Sequence, residues 1–350
     1  MAEKQKKVIV PGGAGFIGTN FCKSALARGC EVVVFDNLSR AGAEQNLEYL
    51  DGLSDGRLHF IKGNVETRSH VEDLFSQHGD AGLILQLAGQ VAVTTSIEDP
   101  RTDFESNLLG TFHLLEAMRA AGSPAAFIFA STNKVYGKLD GIEVEEGDTR
   151  WRFRDRPRGI DESVTLEFLS PYGCSKGAAD QYVLDYARIY GLNSTVFRQS
   201  CIYGPHQFGI EDQGWVAWFL IAVLSGKPLT IYGDGKQVRD VLYVDDLVEA
   251  YWAAAENIER TRGQAYNIGG GEFRLSLLEL IGMMKNDLGI PVSHEFDAPR
   301  PADQKVYVSD VRKALKDFAW KPVIPPDEGV SMLAKWVKIN LSNMKIKIRE

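Results

Sequence analysis

The chain has 350 residues, long enough for a sizeable core and for two lobes. Its hydrophobic share of 44% and charged share of 25% are those of an ordinary globular protein. A formal charge of -8 and a pI near 5.4 exclude a nucleic-acid binder, which would carry a basic face.

Residues 1–7 are charged and run into a glycine-rich turn, so no apolar core of a signal peptide is expected there. The longest wholly apolar run, 215–224, is too short to span a bilayer and reads as a buried helix. Cys22, Cys30, Cys174 and Cys201 form neither a CxxC pair nor a His/Cys cluster at metal-ligand spacing. No metal site is expected, and a chain of this size needs no disulfide framework, which makes the cytoplasm the expected compartment.

In chain order, short β-branched runs alternate with amphipathic helical stretches, the pattern of βαβ units on a parallel sheet. Strands are expected at 7–10, 31–36, 58–62, 83–87, 126–131 and 193–198, and helices at 16–28, 101–121 and 175–190. The fold class is therefore α/β, a Rossmann-type doubly wound sheet with a smaller C-terminal α/β lobe. Glycine, proline and aromatic residues rise after Arg198, so a first domain of 1–198 and a second lobe of 199–350 are expected, with about 236–258 returning to the first. The long, charged, Arg-rich segment 137–171 reads as an insertion near the site rather than part of the sheet. The tail, with Lys345, Lys347 and Arg349 alternating with isoleucines, reads as an edge strand or a frayed end.

Gly12, Gly15 and Gly18 stand at GxxGxxG spacing directly after a strand, and Phe16 and Ile17 open a helix. Glycine lets the backbone turn tightly and approach a pyrophosphate, while the helix N-terminus offers free N–H groups and a positive dipole end. An empty strand–helix turn is the plainer alternative, but Asp36 ends the next strand. A carboxylate there accepts from the adenosine ribose hydroxyls and repels a 2′-phosphate, which favours NAD over NADP. Asn37, Ser39 and Arg40 follow it. Asn64 and Val65, after the third strand, fall where adenine would lie, although Asn64 suits a plain turn equally well. Leu87, Ala88 and Gln90 would run beneath the cofactor. Asn107, polar inside a helix, either orients groups near the site or faces solvent.

Tyr172 and Lys176 stand at i and i+4, on one helix face. A phenol of pKa near 10 is only about one part in a thousand ionised at pH 7, and a shift of about three units needs roughly 4 kcal/mol. Lys176 and a positively charged nicotinamide are the natural sources. A surface Tyr–Lys pair is the bland alternative, weakened by the glycines and Asp36 upstream. Thr132, at the end of the 126–131 strand, is the first candidate for a proton-relay hydroxyl and Ser131 the second.

Together these residues resemble the extended short-chain dehydrogenase/reductase superfamily and, within it, the nucleotide-sugar 2-epimerases of the CDP-paratose/CDP-tyvelose type. The resemblance runs from Lys7 to about Trp336. Its most specific stretches are Gln90-Val-Ala-Val-Thr-Thr-Ser96 and Ser170-Pro-Tyr-Gly-Cys-Ser-Lys-Gly-Ala-Ala-Asp-Gln-Tyr182, with Asp212-Gln-Gly-Trp215 and Gly235-Lys-Gln-Val-Arg-Asp-Val241 beside them. The resemblance implies catalytic roles for Thr132, Tyr172 and Lys176, with NAD retained through the cycle. Tyr172 takes the proton of the sugar C2 hydroxyl as its hydride leaves, and the 2-keto sugar receives the hydride back on its other face.

The same resemblance points to Val93, Thr94, Asn133, Lys134, Gln199 and Ser200 as substrate contacts, and to Gln213, Gly214, Val216 and Tyr232. Trp215 is either a contact or the start of a buried helix. Arg239 would fork onto a substrate phosphate, with Arg300 and Asp303 closing over the nucleotide, although each suits an exposed charge as well. A homodimer or homotetramer through helices 101–121 and 175–190 is implied. Three departures stand out: Pro11 in place of threonine before the glycines, Gln86 in place of histidine, and His206 in place of arginine, the last expected near the diphosphate or nucleobase. A sugar 4,6-dehydratase would need Asp-Glu after Thr132, where Asn133 and Lys134 stand. A 4-epimerase shares Tyr, Lys and hydroxyl, and differs in the carbon presented. A net reductase often prefers NADP, which Asp36 disfavours. A non-catalytic dinucleotide binder would not need Thr132, Tyr172 and Lys176 together.

Overall fold

Val8–Val10 and Val32–Val34 are unbroken apolar runs, so both faces of their strands must be covered, as they are in a parallel sheet flanked by helices. All six are fully buried. The computed structural model describes residues 6–211, 213–299 and 304–344. Its main sheet has seven strands: β1 (Lys7–Pro11), β2 (Glu31–Asp36), β3 (Leu58–Lys62), β4 (Leu83–Gln86), β5 (Ala126–Thr132), β6 (Ser194–Gln199) and β7 (Ala265–Ile268). The spatial order is β7-β6-β5-β4-β1-β2-β3, every neighbouring pair parallel. Strand order reverses between β1 and β4, and a crevice opens there beyond the carboxyl ends of the strands.

After β6 the chain returns to this sheet more than once. Helix Val244–Glu256 lies on helix Phe16–Ala27, where the Trp252 ring stacks on Phe21 at 4.8 Å and its Nε1 donates to Ser24 Oγ at 3.1 Å. β7 then adds beside β6. The smaller lobe centres on strand Val238–Tyr243, which pairs with Arg274–Ser276, Val306–Tyr307 and Cys201–Tyr203. Helices Trp215–Leu224, Leu277–Asn286 and Pro326–Asn340 enclose a core that holds Val216, Leu220, Leu280 and Leu333. The apolar run of the first of these helices is thus consumed by burial. No helix among the described residues is long and apolar enough to cross a membrane.

Segment 137–171 forms its own hairpin, Val144–Glu146 with Trp151–Phe153, and buries Phe153 and Ile160 against Tyr136, Val238 and Tyr307. The helix expected at 101–121 is interrupted: Pro100–Phe104 passes through a π-helical turn, Glu105–Leu109, before α-helix resumes at Gly110–Ala120. The helix expected from 175 begins at Ser170, because Pro171 presets the backbone of its first turn. Asp212, Arg300, Asp303 and the tail 345–350 lie outside the described residues.

Candidate active site

Gly12 has φ +80°, and a Cβ there would stand 2.6 Å from the Ala88 backbone nitrogen, so the turn after β1 lies directly on the chain leaving β4. At Gly18 a Cβ would meet the Gly12 carbonyl oxygen at 2.3 Å, which lets the helix close onto its own entry turn. Helix Phe16–Ala27 has no side-chain cap at Gly15, leaving first-turn N–H groups to serve a ligand. Asp36 Oδ2 accepts from Ala14 N at 3.0 Å and Oδ1 from Leu38 N at 2.8 Å, while burial pushes its carboxyl upward. Beyond it a cleft of about 380 Å³ is lined by Asn37, Ser39, Lys62, Gly63, Asn64 and His70. Asn64 Oδ1 is buried with no hydrogen-bond partner among the described residues. Glycine turn, acidic strand end and an adenosine-sized cleft with a waiting acceptor fit a dinucleotide. Leu87 and Ala88 are half-buried along this path, and Leu87 N is bonded to Pro11 O at 3.0 Å. The Val65 side chain is buried in the core that also holds Leu114. Arg40 crosses the crevice, donating to Gln213 Oε1 at 2.9 Å and to Gly89 O at 3.4 Å.

Tyr172 and Lys176 are both buried on helix Ser170–Tyr190. Burial pushes the Tyr172 phenol up to about 12, while its hydrogen bond with Thr132 pulls the other way; the Asp103 charge raises it further and the Arg40 guanidinium lowers it. Thr132 Oγ1 also accepts from Lys134 N at 3.2 Å and donates to Asn133 Oδ1 at 3.4 Å. Ser131 faces elsewhere, donating to Asp180 Oδ2 at 2.9 Å. Burial pushes Lys176 down to about 7, opposed by the Asp103 and Asp180 carboxylates. Its Nζ lies 4.3 Å from the centre of the Phe129 ring. Asp180 is itself gripped by Arg198, Nε to Oδ2 at 2.9 Å and Nη2 to Oδ1 at 3.1 Å.

Sequence reasoning passed over Asp103, fully buried on helix Pro100–Phe104. It accepts from Ser175 Oγ, from Asn107 Nδ2 at 3.0 Å and from Gln90 Nε2 at 3.1 Å. Asn107, fully buried in the π-helical turn, is therefore not a solvent-facing residue. A signal did exist, since Asp103 and Asn107 stand at i and i+4, but only the fold brings Ser175 and Gln90 to the same carboxylate.

On the smaller lobe Arg239 is buried, its Nη1 donating to Val238 O at 2.8 Å and Gln304 O at 2.7 Å. Trp215 Nε1 is buried with no hydrogen-bond partner among the described residues. Gly214, at φ +75°, turns the chain beside Gln207. Tyr232 OH donates to Glu211 Oε1 at 2.7 Å, and Val93 and Thr94 are half-buried in the first turn of helix Val93–Glu98. Three expected substrate contacts are occupied inside the fold: Gln199 bonds the Tyr251 hydroxyl, Ser200 bonds Asp240, and Val216 packs in the lobe core. Arg300 and Asp303 fall outside the described residues. The His206 ring lies 4.3 Å from that of Tyr49 and 5.5 Å from that of Trp336, with Nδ1 3.2 Å from Asn46 Oδ1. Asn46 Nδ2 in turn donates to Ala14 O at 3.1 Å, which links His206 to the glycine turn. Gln86 is buried, donating to Ala88 O and Thr111 Oγ1.

A doubly wound sheet, a glycine turn with its acidic strand end, and a buried Thr–Tyr–Lys group define a dinucleotide-dependent enzyme of the extended short-chain dehydrogenase/reductase type. The model of the NAD dependent epimerase/dehydratase family matches residues 8–269, and the chain belongs to that family. It is 45% identical over 336 residues to CDP-paratose 2-epimerase of Salmonella typhi, covering 94% of this chain and 98% of the relative. The crystal structure of UDP-glucose 4-epimerase from Thermotoga maritima with UDP-glucose superposes with a TM-score of 0.81 at 30% identity, covering 96% of this chain and 99% of that one. UDP-glucuronic acid 4-epimerase from Bacillus cereus, in complex with UDP-glucuronic acid and NAD, gives a TM-score of 0.81 at 28% identity over 95% and 99%.

Proposed function

We propose that the chain is a nucleotide-sugar 2-epimerase that inverts C2 of an NDP-hexose of the CDP-paratose/CDP-tyvelose type through a 2-keto intermediate. The observation that carries this reading is the 45% identity to a CDP-paratose 2-epimerase over nearly the whole of both chains. NAD, when bound, supplies reversible storage of one hydride, and the glycine turn, Asp36 and the Asn64 cleft would hold it. Tyr172 removes the proton of the C2 hydroxyl and later returns it to the 2-keto oxygen. Thr132, hydrogen-bonded to Tyr172, orients that exchange, and the Arg40 guanidinium favours the phenolate, with the Lys176 ammonium one helical turn away as the further cation the reading needs. Arg239 grips a phosphate of the substrate, leaving the sugar free to present either face. Asn133 and Lys134 supply no carboxylate beside Thr132, which speaks against dehydration.

Inversion at C4 is the second reading, favoured by the 4-epimerases among the solved structures that share the fold. The two separate by incubating the purified protein, without added cofactor, with CDP-, GDP- and UDP-glucose and CDP-paratose in D2O, followed by proton NMR. Inversion at C2 with the hydrogen retained as protium is expected. Inversion at C4 would move the enzyme to the second reading, and no inversion would sink both for these substrates.

The cytoplasm is the proposed compartment, in keeping with a cysteine pattern that reads as no disulfide framework. Phe104, Tyr182, Ile189 and Tyr190 are exposed along the two helices that carry the site, and support a homodimer or homotetramer through that face. Sedimentation equilibrium would test it.

A further inference from the structure

Two fully buried carboxylates, Asp103 and Asp180, act on Lys176 from different elements, and they are compensated very differently. Asp180 is matched by the two-pronged grip of Arg198 and by the Ser131 hydroxyl. Among the described residues the hydrogen-bond donors to Asp103 are neutral: the Ser175 hydroxyl, the Asn107 amide and the Gln90 amide. An ionised carboxylate inside a protein needs a countercharge as well as hydrogen bonds. The cation that acts on Asp103 is Lys176. Other cations stand around the helix: Arg198 is paired with Asp180, the Arg40 guanidinium acts on the Tyr172 phenol from the loop after β2, and Lys134 stands on the turn after β5. From β5 the Phe129 ring faces Lys176.

We propose that Asp103 is a positioning residue of the reaction: its carboxylate keeps Lys176 an ammonium and, through Ser175, fixes the turn of helix between Tyr172 and Lys176. Ser175 lies in that turn, and its hydroxyl is shared with Asn107 Nδ2 at 3.1 Å. The donors thereby join the chain after β4, the π-helical turn and the catalytic helix at one anionic point. This inference rests on the proton-transfer role proposed for Tyr172 and Lys176.

The test is the pH dependence of kcat and KM for Asp103→Asn and Asp103→Ser, two neutral replacements of different hydrogen-bonding reach, beside Asp103→Glu. Removing the anion makes Lys176 shed its proton more readily, so the alkaline limb of kcat should move to lower pH by about one unit in both neutral variants. At pH 8 kcat should fall about tenfold, the scale of one charge-assisted interaction, with KM nearly unchanged. The Glu variant should keep the limb of the parent. A folded, NAD-loaded neutral variant with an unmoved limb would overturn the proposal and leave Asp103 a packing residue. If neither neutral variant folds, Ser175→Ala decides: it removes a hydrogen bond that holds the Asp103 carboxyl ionised and breaks the link to the catalytic helix, so the alkaline limb should move to lower pH, and an unmoved limb or an upward shift overturns the idea. Tyr172→Phe distinguishes the underlying reading, because full turnover in that variant would remove the proton-transfer role itself, whereas a dead Tyr172→Phe beside an unmoved Asp103→Asn limb would remove only this inference.

Discussion

Around the dinucleotide half of the crevice the proposed functional groups come from short segments: the glycines from one turn, Asp36 from the end of β2, and Asn64 from the turn after β3. Around the proposed sugar half they come from far apart in the chain, Thr132 at the end of β5, Trp215 at a helix start and Arg239 on the smaller sheet. The first half is dictated by backbone geometry, since a pyrophosphate needs N–H groups and room that only a few residues can leave. The second is dictated by side chains whose roles depend on what each bonds: Arg239 is braced by two carbonyls, while Ser200 and Gln199 are taken up inside the fold. Local geometry makes a cofactor site readable, and dispersed side chains make a substrate site specific.

Where the two halves meet stands Tyr172, and its removal should have the largest effect. Tyr172→Phe should lower kcat about a thousandfold while NAD content stays that of the parent; a variant that also lost its cofactor would show that the halves are not separable there. Gly18→Ala confines the damage to the first half. Its Cβ would sit 2.3 Å from the Gly12 carbonyl, a backbone atom that cannot yield cheaply. Overpacking of this kind should weaken NAD binding about a hundredfold, measured by calorimetry on refolded apoprotein. Arg239→Lys acts on the second half alone. It keeps the charge but loses the planar fork, and should raise KM about tenfold at constant kcat. An equal fall in kcat would mean that Arg239 serves the reacting centre.

The strands from β1 to β6 were legible because each is a short apolar run bounded by turn residues, and the glycine turn because its spacing is a local requirement. β7 was not: Ala265–Ile268 is four residues long, far from its partner in sequence, and only its register beside Val196–Gln199 makes it part of the main sheet. The helix over 101–121 was legible as a helix but not in its π-helical turn, since apolar periodicity does not record one extra residue in a turn. Thr132 and Ser131 stood as neighbours with the same chemistry, and the pleat of β5 separates them, one to Tyr172 and the other to Asp180. The neighbours of His206 were not legible, because resemblance gives a position in the chain, whereas Tyr49 and Trp336 come from far apart in it.

The smallest effect concerns the energy of folding rather than turnover. Lys176 is held near 7 in the folded chain against 10.5 in an unfolded one, with burial the dominant cause. Below about pH 7 both states carry the proton, and the group adds no pH dependence. Between about 7 and 10.5 the unfolded chain binds the proton that the folded chain has lost, so this group makes stability rise with pH across that window. Tyr172 acts in the opposite sense, but only above its unfolded value of 10.0. The difference in melting temperature between the parent and Lys176→Met should therefore change in the parent's favour from pH 7.5 to about pH 10. A difference that stays constant would mean that Lys176 keeps its proton throughout, held by Asp103 and Asp180 more strongly than burial opposes it, and would tie the catalytic helix to both carboxylates more tightly than to the solvent-free wall of Phe129.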